Sequence, residues 1–166
     1  MAVVTVRSQL ITNIVNSPPI QNPVTQENAR KRASAAVVTL NTTDSVGSIY
    51  KLARVMSHWR MINLRLFNAA LTAGNASIGL YRTDADGGAA VAVACYGNAV
   101  SLAAANLTGI EQAYAVRTLD KMVSLVWQDA GTYALDPKLA LDLCLTLTTA
   151  VTVAGLVAMD LNFCVD

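Results

Sequence analysis

Two C-terminal stretches, LALDLCLTLT at residues 139–148 and VAMDLNFCV at residues 157–165, decide the fold class of this chain. In each stretch a large apolar residue alternates with a small or polar one, which is typical of a β-strand with one buried face. A short loop joins the two runs. The pattern therefore predicts two long strands, and we expect them to pair as an antiparallel hairpin.

The middle of the chain shows the same alternation. Ile62, Leu64 and Leu66 alternate with Asn63 and Arg65, which predicts a half-buried strand. Further strands are predicted at residues 36–40, 48–55, 77–82 and 89–96. The turn sequence DADGG at residues 84–88 indicates a hairpin between the last two of these.

One helix is predicted within this β-rich chain, at residues 118–130. Thr118 is a suitable N-cap, apolar residues follow at helical spacing, and Gly131 ends the run. Such a helix would cover an open end or edge of the sheets. The length of 166 residues fits one domain with a core, and we place that domain at residues 34–166.

Residues 1–33 differ from the rest and are predicted to form an extended N-terminal arm. Pro18, Pro19 and Pro23 prevent a continuous helix or sheet there. The arm is too apolar for a free tail, so we expect it to lie on the body of the domain or on a neighbouring subunit. The candidate contact residues are Val3, Val4, Val6, Leu10, Ile11, Ile14, Arg30, Lys31 and Arg32.

The composition indicates that some apolar surface is buried between subunits. Hydrophobic residues make up 54% of the chain and charged residues only 14%. The net charge of +1 gives no general attraction to nucleic acid or to acidic membranes, so neither is expected as a partner. The run Arg30, Lys31 and Arg32 is too short for a strong nucleic-acid footprint, and an ion-paired contact with a partner fits it at least as well.

Residues that carry enzyme chemistry are scarce in this sequence. There is one histidine, His58, and no GxSxG motif, so no catalytic site is expected. Asp84 and Asp86 resemble the opening of a calcium loop, but the later ligands are missing and a turn is favoured. We expect no cofactor and no metal site.

The three cysteines, Cys95, Cys144 and Cys164, show no pairing pattern. We therefore expect three reduced thiols. With no signal peptide in the sequence, this pattern predicts a protein that is made and assembled in a reducing cytoplasm, which for a phage protein would be that of the host.

The segments DSVGSIYKLARV (residues 44–55) and RMINLRLFNAALTAGNASIGLYRTDADGGAAV (residues 60–91) resemble tailed-bacteriophage capsid decoration, or cement, proteins of jelly-roll type. The positions that carry the resemblance are Asp44, Gly47, Ser48, Tyr50, Leu64, Leu66, Gly79, Leu80, Tyr81, Gly87 and Gly88. Proteins of this kind sit on the outside of the head, usually as trimers, and clamp neighbouring major capsid subunits.

The resemblance implies an all-β fold, an antiparallel β-sandwich of jelly-roll type with about eight strands. It also implies a homotrimer on the virion exterior, with the major capsid protein as its partner. The alternatives are a tail or receptor-binding structural module and the coat protein of a small virus. A coat protein would carry a more basic arm, a receptor-binding module more exposed aromatic residues, and an enzyme a convergent polar site.

Overall fold

The computed structural model describes residues 12, 13, 15–21 and 30–165. Eight strands form the body: β1 (Arg30–Leu40), β2 (Ile49–Met56), β3 (Arg60–Asn68), β4 (Asn75–Arg82), β5 (Ala90–Ser101), β6 (Asn106–Glu111), β7 (Ala140–Thr149) and β8 (Gly155–Val165). Short 3-10 helices occur at Asp84–Asp86 and Leu119–Val123, and a one-turn α-helix at Val126–Ala130. The strands predicted from the alternating segments are all present.

The eight strands form two four-stranded antiparallel sheets that pack face to face. Sheet A has the order β1-β8-β3-β6, and sheet B has the order β2-β7-β4-β5. Strands consecutive in sequence alternate between the sheets, except for β4 and β5, which are neighbours in sheet B. Eight strands in two Greek keys make a jelly-roll sandwich, so the predicted fold class is confirmed.

The predicted hairpin between the last two strands is wrong. β7 lies in sheet B between β2 and β4, whereas β8 lies in sheet A between β1 and β3. The period-two pattern states which side chains face the core, but it is the same for two strands in one sheet and for two strands that face each other across a sandwich. The other predicted hairpin, β4 with β5, is present.

The core lies between the sheets and consists of the apolar residues that the alternation identified. Leu141, Leu143, Leu145 and Leu147 of β7, with Val157, Met159, Leu161 and Phe163 of β8, are all buried. Each fully buried leucine contributes about 2 kcal/mol relative to an exposed one. The inward rows of the two sheets therefore supply most of the stability of the sandwich.

The first strand begins earlier than predicted. β1 starts at Arg30 and pairs with β8 from Arg30 opposite Val165 to Leu40 opposite Gly155. β1 therefore includes residues 30–33, which the sequence assigned to the arm. The described part of the arm begins with a helical turn at residues 12, 13 and 15, in which the backbone N–H of Asn16 donates to the carbonyl of Thr12 over 3.1 Å. This turn differs from the extended conformation that the prolines predicted for the whole arm.

The predicted helix is divided in two. Leu119–Val123 is a 3-10 helix and Val126–Ala130 an α-helix, with extended backbone at Ser124 and Leu125 between them. The break is held because the N–H groups of Val126 and Trp127 donate to the carbonyls of Trp59 and Ser57. Gly131 ends the second helix with φ of 67°, as predicted. In the described part of the chain no helix is long and apolar enough to cross a membrane.

Candidate assembly surfaces

An apolar groove runs across the outer face of sheet A, near the end where β1 finishes and β8 starts. Its volume is about 300 Å³, and its lining is almost entirely apolar. We call it the sheet A groove; it is lined by Val37, Phe67, Asn68, Ala69, Leu107, Leu156 and Ala158. Val37, Leu107 and Leu156 are 63%, 79% and 55% exposed, which is unusual for large apolar side chains on neighbouring positions.

The register of the sheet explains how these residues meet. Val37 and Phe67 lie on either side of Ala158, because β8 is paired with β1 and with β3 at that residue. The Phe67 ring lies over Gly109 on the edge strand β6, where a Cβ atom would be only 2.6 Å from the ring. The small residue Ala158 thus forms the floor of the groove, while larger apolar side chains form its sides.

The outer face of sheet B is built differently, because polar side chains cover it. Asp142 accepts hydrogen bonds from Lys51 Nζ over 3.1 Å and from Arg54 Nε over 2.8 Å, and its side chain is only 6% exposed. Burial alone would raise the pKa of Asp142, but the hydrogen bonds from Arg54 and Lys51 outweigh burial and hold the pKa below its usual range. Lys51 also pairs with Asp84 over 2.6 Å.

Next to this ionic cluster, a buried tyrosine packs on the outer face of sheet B. The hydroxyls of Tyr81 and Thr146 share a hydrogen bond of 2.8 Å, and both residues are buried. Cys144 lies in the same outward row of β7, and burial raises the pKa of its thiol to about 12. This face therefore satisfies its own polar groups and offers little apolar area to a partner.

The long connection between β6 and β7 contains a buried ion pair. Nε of Arg117 lies 3.2 Å from a carboxylate oxygen of Asp129, and both side chains are almost fully buried. The N–H does not point at this oxygen, so the contact is electrostatic. Burial raises the pKa of Asp129 to about 6, although Arg117 and the hydroxyl of Tyr96, which donates over 2.9 Å, oppose the rise. The guanidinium also lies over the rings of Tyr96 and Tyr114.

This buried cluster holds an apolar helical turn at the surface. Arg117 donates to the carbonyl of Lys121, and Arg60 Nη1 donates to the carbonyl of Met122 over 3.1 Å. The 3-10 helix Leu119–Val123 buries none of its residues, and Leu119 is 81% exposed. A fixed backbone that displays apolar side chains is a second candidate contact, at the opposite end of the sandwich from the sheet A groove.

The predicted contact residues Val3, Val4, Val6, Leu10, Ile11 and Ile14 lie outside the described residues. Arg30, Lys31 and Arg32 lie in β1, and the structure does not bring them together as one patch. Arg32, opposite Phe163, points to the core side and lies over the Trp59 ring at 5.8 Å, whereas Lys31, opposite Cys164, points to the outer face. The triplet is therefore split between two faces of the sandwich.

The sequence interpretation missed the sheet A groove, but a signal for it exists. Residues 35–38 read AAVV, and the pairs Leu66–Phe67 and Leu156–Val157 place large apolar residues on both faces of a strand. Alternation fails at these points because the outward positions are apolar too. Among residues 12, 13, 15–21 and 30–165, no group of three or more metal-binding side chains occurs.

No protein-family model matches this chain, and a search of curated proteins also gave no match. Among solved structures, the chain is similar in fold to a chain of the cyanophage Pam1 capsid asymmetric unit. The TM-score is 0.50 and the identity is 7%, and the match covers 83% of this chain and 86% of the other. The two chains thus share a β-sandwich architecture over most of their lengths, which are nearly equal.

Proposed function

We propose that this chain is a structural protein of a bacteriophage virion, which binds the outside of the head as a decoration or cement protein and stabilises contacts between major capsid subunits. The sheet A groove carries this proposal, because it is an open apolar surface on the outside of the sandwich. The likeness in fold to a capsid chain of similar length supports the proposal.

The mechanism is burial of apolar area at many equivalent contacts. Each square ångström of apolar surface removed from water contributes about 25 cal/mol, before the cost of association is subtracted. A single contact of this kind is weak. A shell repeats it at every equivalent position, and oligomerisation joins several contacts in one particle, so the sum resists internal pressure by avidity.

This role requires no reaction, and we propose that the chain is not an enzyme. Rigid display of apolar side chains is what the role requires, and the sandwich core and the buried Arg117–Asp129 pair provide that rigidity. We also propose that the protein is a homo-oligomer, with three copies as the resemblance to cement proteins implies.

The N-terminal arm remains part of the proposal as a contact in addition to the sheet A groove. Because β1 begins at Arg30 and Arg32 contacts Trp59, a deletion of residues 2–26 leaves the described sandwich intact. We expect the truncated chain to fold and to bind shells more weakly than the full chain. Equal binding, and equal protection of shells against heat, would show that the arm is passive.

The direct test is to look for the chain in purified virions by quantitative mass spectrometry. We expect a fixed copy number relative to the major capsid protein, in the head fraction and not in the tail fraction. Amine labelling of intact particles should reach Lys31 and Lys138 if the chain is on the exterior. Absence from virions, or labelling only after the heads are opened, would refute the proposal; recovery with tails would favour the tail module.

The surface responsible is tested with recombinant protein and heads that lack it. Leu156→Asp places a charge in the sheet A groove and should reduce binding at least tenfold. The matched control is Ile49→Asp, which is similarly exposed, 47% against 55%, and lies on the outer face of sheet B. If both variants bind as the parent does, the groove is not the contact.

A further inference from the structure

The four edge strands of the sandwich differ in how well they are protected against pairing with another chain. The edges are β1 and β6 in sheet A, and β2 and β5 in sheet B. Open edges expose unpaired backbone N–H and C=O groups, and proteins usually blunt them with charges, bulges or very short strands. Three of the four edges carry such features.

The protected edges are irregular. β5 has three register shifts against β4, and β6 is six residues long, with a register shift and with Gly109 at φ of 79°. β2 has a register shift and carries Lys51 and Arg54. None of these edges offers a long straight row of backbone groups to a partner.

β1 has none of these features in its central and C-terminal part. It pairs with β8 over eleven consecutive residues without a register shift. From Ala33 to Leu40 it contains no charge and no proline. No strand within residues 12, 13, 15–21 and 30–165 pairs with its other side. The strand is therefore a regular, uncharged template for one more strand.

The basic residues at the start of β1 determine which direction of pairing is allowed. A second copy of β1 that ran parallel would place two Arg30–Lys31–Arg32 runs side by side, which is unfavourable. An antiparallel copy separates the two runs at opposite ends of the contact. The occupant that fits this edge is thus a second β1 related by a twofold axis.

The register follows from the faces of the sheet. A twofold axis perpendicular to the sheet keeps outward residues outward, so Val37 can face its own copy. This register also sets Ser34 opposite Leu40, so residues 30–33, with the three basic side chains, extend beyond the end of the partner strand at Leu40.

We propose that β1 is a contact between two copies of this chain, in which the strands pair antiparallel with Val37 opposite Val37 and join two A sheets into one continuous eight-stranded sheet. The contact brings the apolar floors of the two sheet A grooves onto one surface. It does not depend on binding to a shell. Because it joins two copies through the same surface, in a trimer it would link one trimer to the next.

Cysteine cross-linking tests the contact and its register together. Opposite Cβ atoms in an antiparallel pair are about 5 Å apart, so Val37→Cys should form a disulfide-linked dimer under mild oxidation. Ala35→Cys, two residues away on the same face, faces Thr39 of the other copy and should not cross-link alone. The double variant Ala35→Cys with Thr39→Cys should cross-link. The parent chain, with its three native thiols, is the blank.

A charge at the same position gives an independent measurement of mass. Val37→Lys should halve the mass of the largest species in sedimentation, from two copies to one or from six to three. Leu107→Lys is the control, because Leu107 is equally apolar and 79% exposed but lies on the other edge of sheet A. It should leave this mass unchanged while it weakens shell binding. A monomeric parent, an unchanged Val37→Lys species, or cross-linking of Ala35→Cys in place of Val37→Cys would each overturn the proposal.

Discussion

The outer faces of the two sheets have opposite characters, although both are the solvent side of one sandwich. On sheet B the outward residues Asp142, Cys144 and Thr146 are buried by polar neighbours that satisfy them. On sheet A the outward residues Val37 and Leu156 are large, apolar and exposed. Burial in sheet B comes from contacts within the chain, whereas the large apolar side chains around the sheet A groove stay exposed.

The difference shows that the burial of an outward residue indicates contacts within its own subunit, whereas exposed hydrophobicity indicates a contact with another one. A polar outward row that is already buried stabilises its own subunit, and an apolar outward row that is exposed is available to a second one. Substitutions on sheet B should therefore change stability. Substitutions on sheet A should change assembly.

The largest effect is expected at Gly79 on β4. A Cβ atom there would lie 2.0 Å from the carbonyl oxygen of Ala92, which is backbone and cannot move aside as a side chain can. Gly79→Ala should lower the free energy of unfolding by about 3 kcal/mol, measured by denaturant titration. The comparison variant on sheet A is Gly109→Ala, where the obstacle is the Phe67 side chain, which can rotate, and where the φ of 79° adds backbone strain. A larger loss at Gly109 would contradict the contrast between the faces.

Asp142→Asn should have the next largest effect. Loss of the charge-assisted hydrogen bonds should lower the free energy of unfolding by about 1.5 kcal/mol at pH 7. This value is at the low end of the range for hydrogen bonds to charged groups, because Lys51 and Arg54 are partly exposed. The pKa of Asp142 is lowered in the folded state, so its contribution is present above its unfolded pKa and is lost as the pH falls through the folded value. The difference between parent and variant should therefore shrink below about pH 4.

The control for this prediction is Asp84→Asn. Asp84 also contacts Lys51, but its side chain is 84% exposed, so the change in stability should be small. If the two variants lose equal stability, or if the effect of Asp142→Asn does not depend on pH, the ionic cluster does not stabilise sheet B in the way described.

A smaller loss is expected when the hydrogen bond between Tyr81 and Thr146 is removed. Tyr81→Phe and Thr146→Val should each lower the free energy of unfolding by about 1 kcal/mol, because each variant leaves the other residue's buried hydroxyl without its partner. The double variant should cost less than the sum of the two. The losses are measured by thermal or chemical unfolding. Additive losses in this double-mutant cycle would mean that the two hydroxyls do not interact in solution.

The smallest change in stability is expected for Leu107→Ser on sheet A. Leu107 is 79% exposed, so the free energy of unfolding should stay within about 0.5 kcal/mol of the parent. The same variant should lose affinity for shells. A large loss of stability would indicate that the groove is already filled within the subunit and is not an open surface.

The sequence predicted the strands and the core because period-two alternation depends only on which side of each strand is buried. It could not predict that β7 and β8 belong to different sheets, since their loop is short enough for a hairpin and the core-facing rows would look the same. It also could not predict that Asp142 is buried. An aspartate between leucines reads as an exposed residue, and only the register of β2 brings Lys51 and Arg54 to it.

The surfaces proposed for assembly were harder to identify than the fold. Arg30, Lys31 and Arg32 are adjacent in sequence, but a strand sends neighbours to opposite faces, so Arg32 contacts Trp59 while Lys31 does not. Val37, Phe67, Leu107 and Leu156 come from four strands, and no local pattern connects them. Pairing of β8 with both β1 and β3, and of β3 with β6, is what places them on one face.

The pairing of Arg30 with Val165 means that β1 enters and β8 leaves the sandwich at the same corner. The sheet A groove lies at the other end of these strands, beside Leu40 and Gly155. A peptide or reporter domain fused after β8 would therefore be tethered at the pole remote from the groove. The sandwich is thus a natural carrier for cargo that must project away from whatever surface the groove binds.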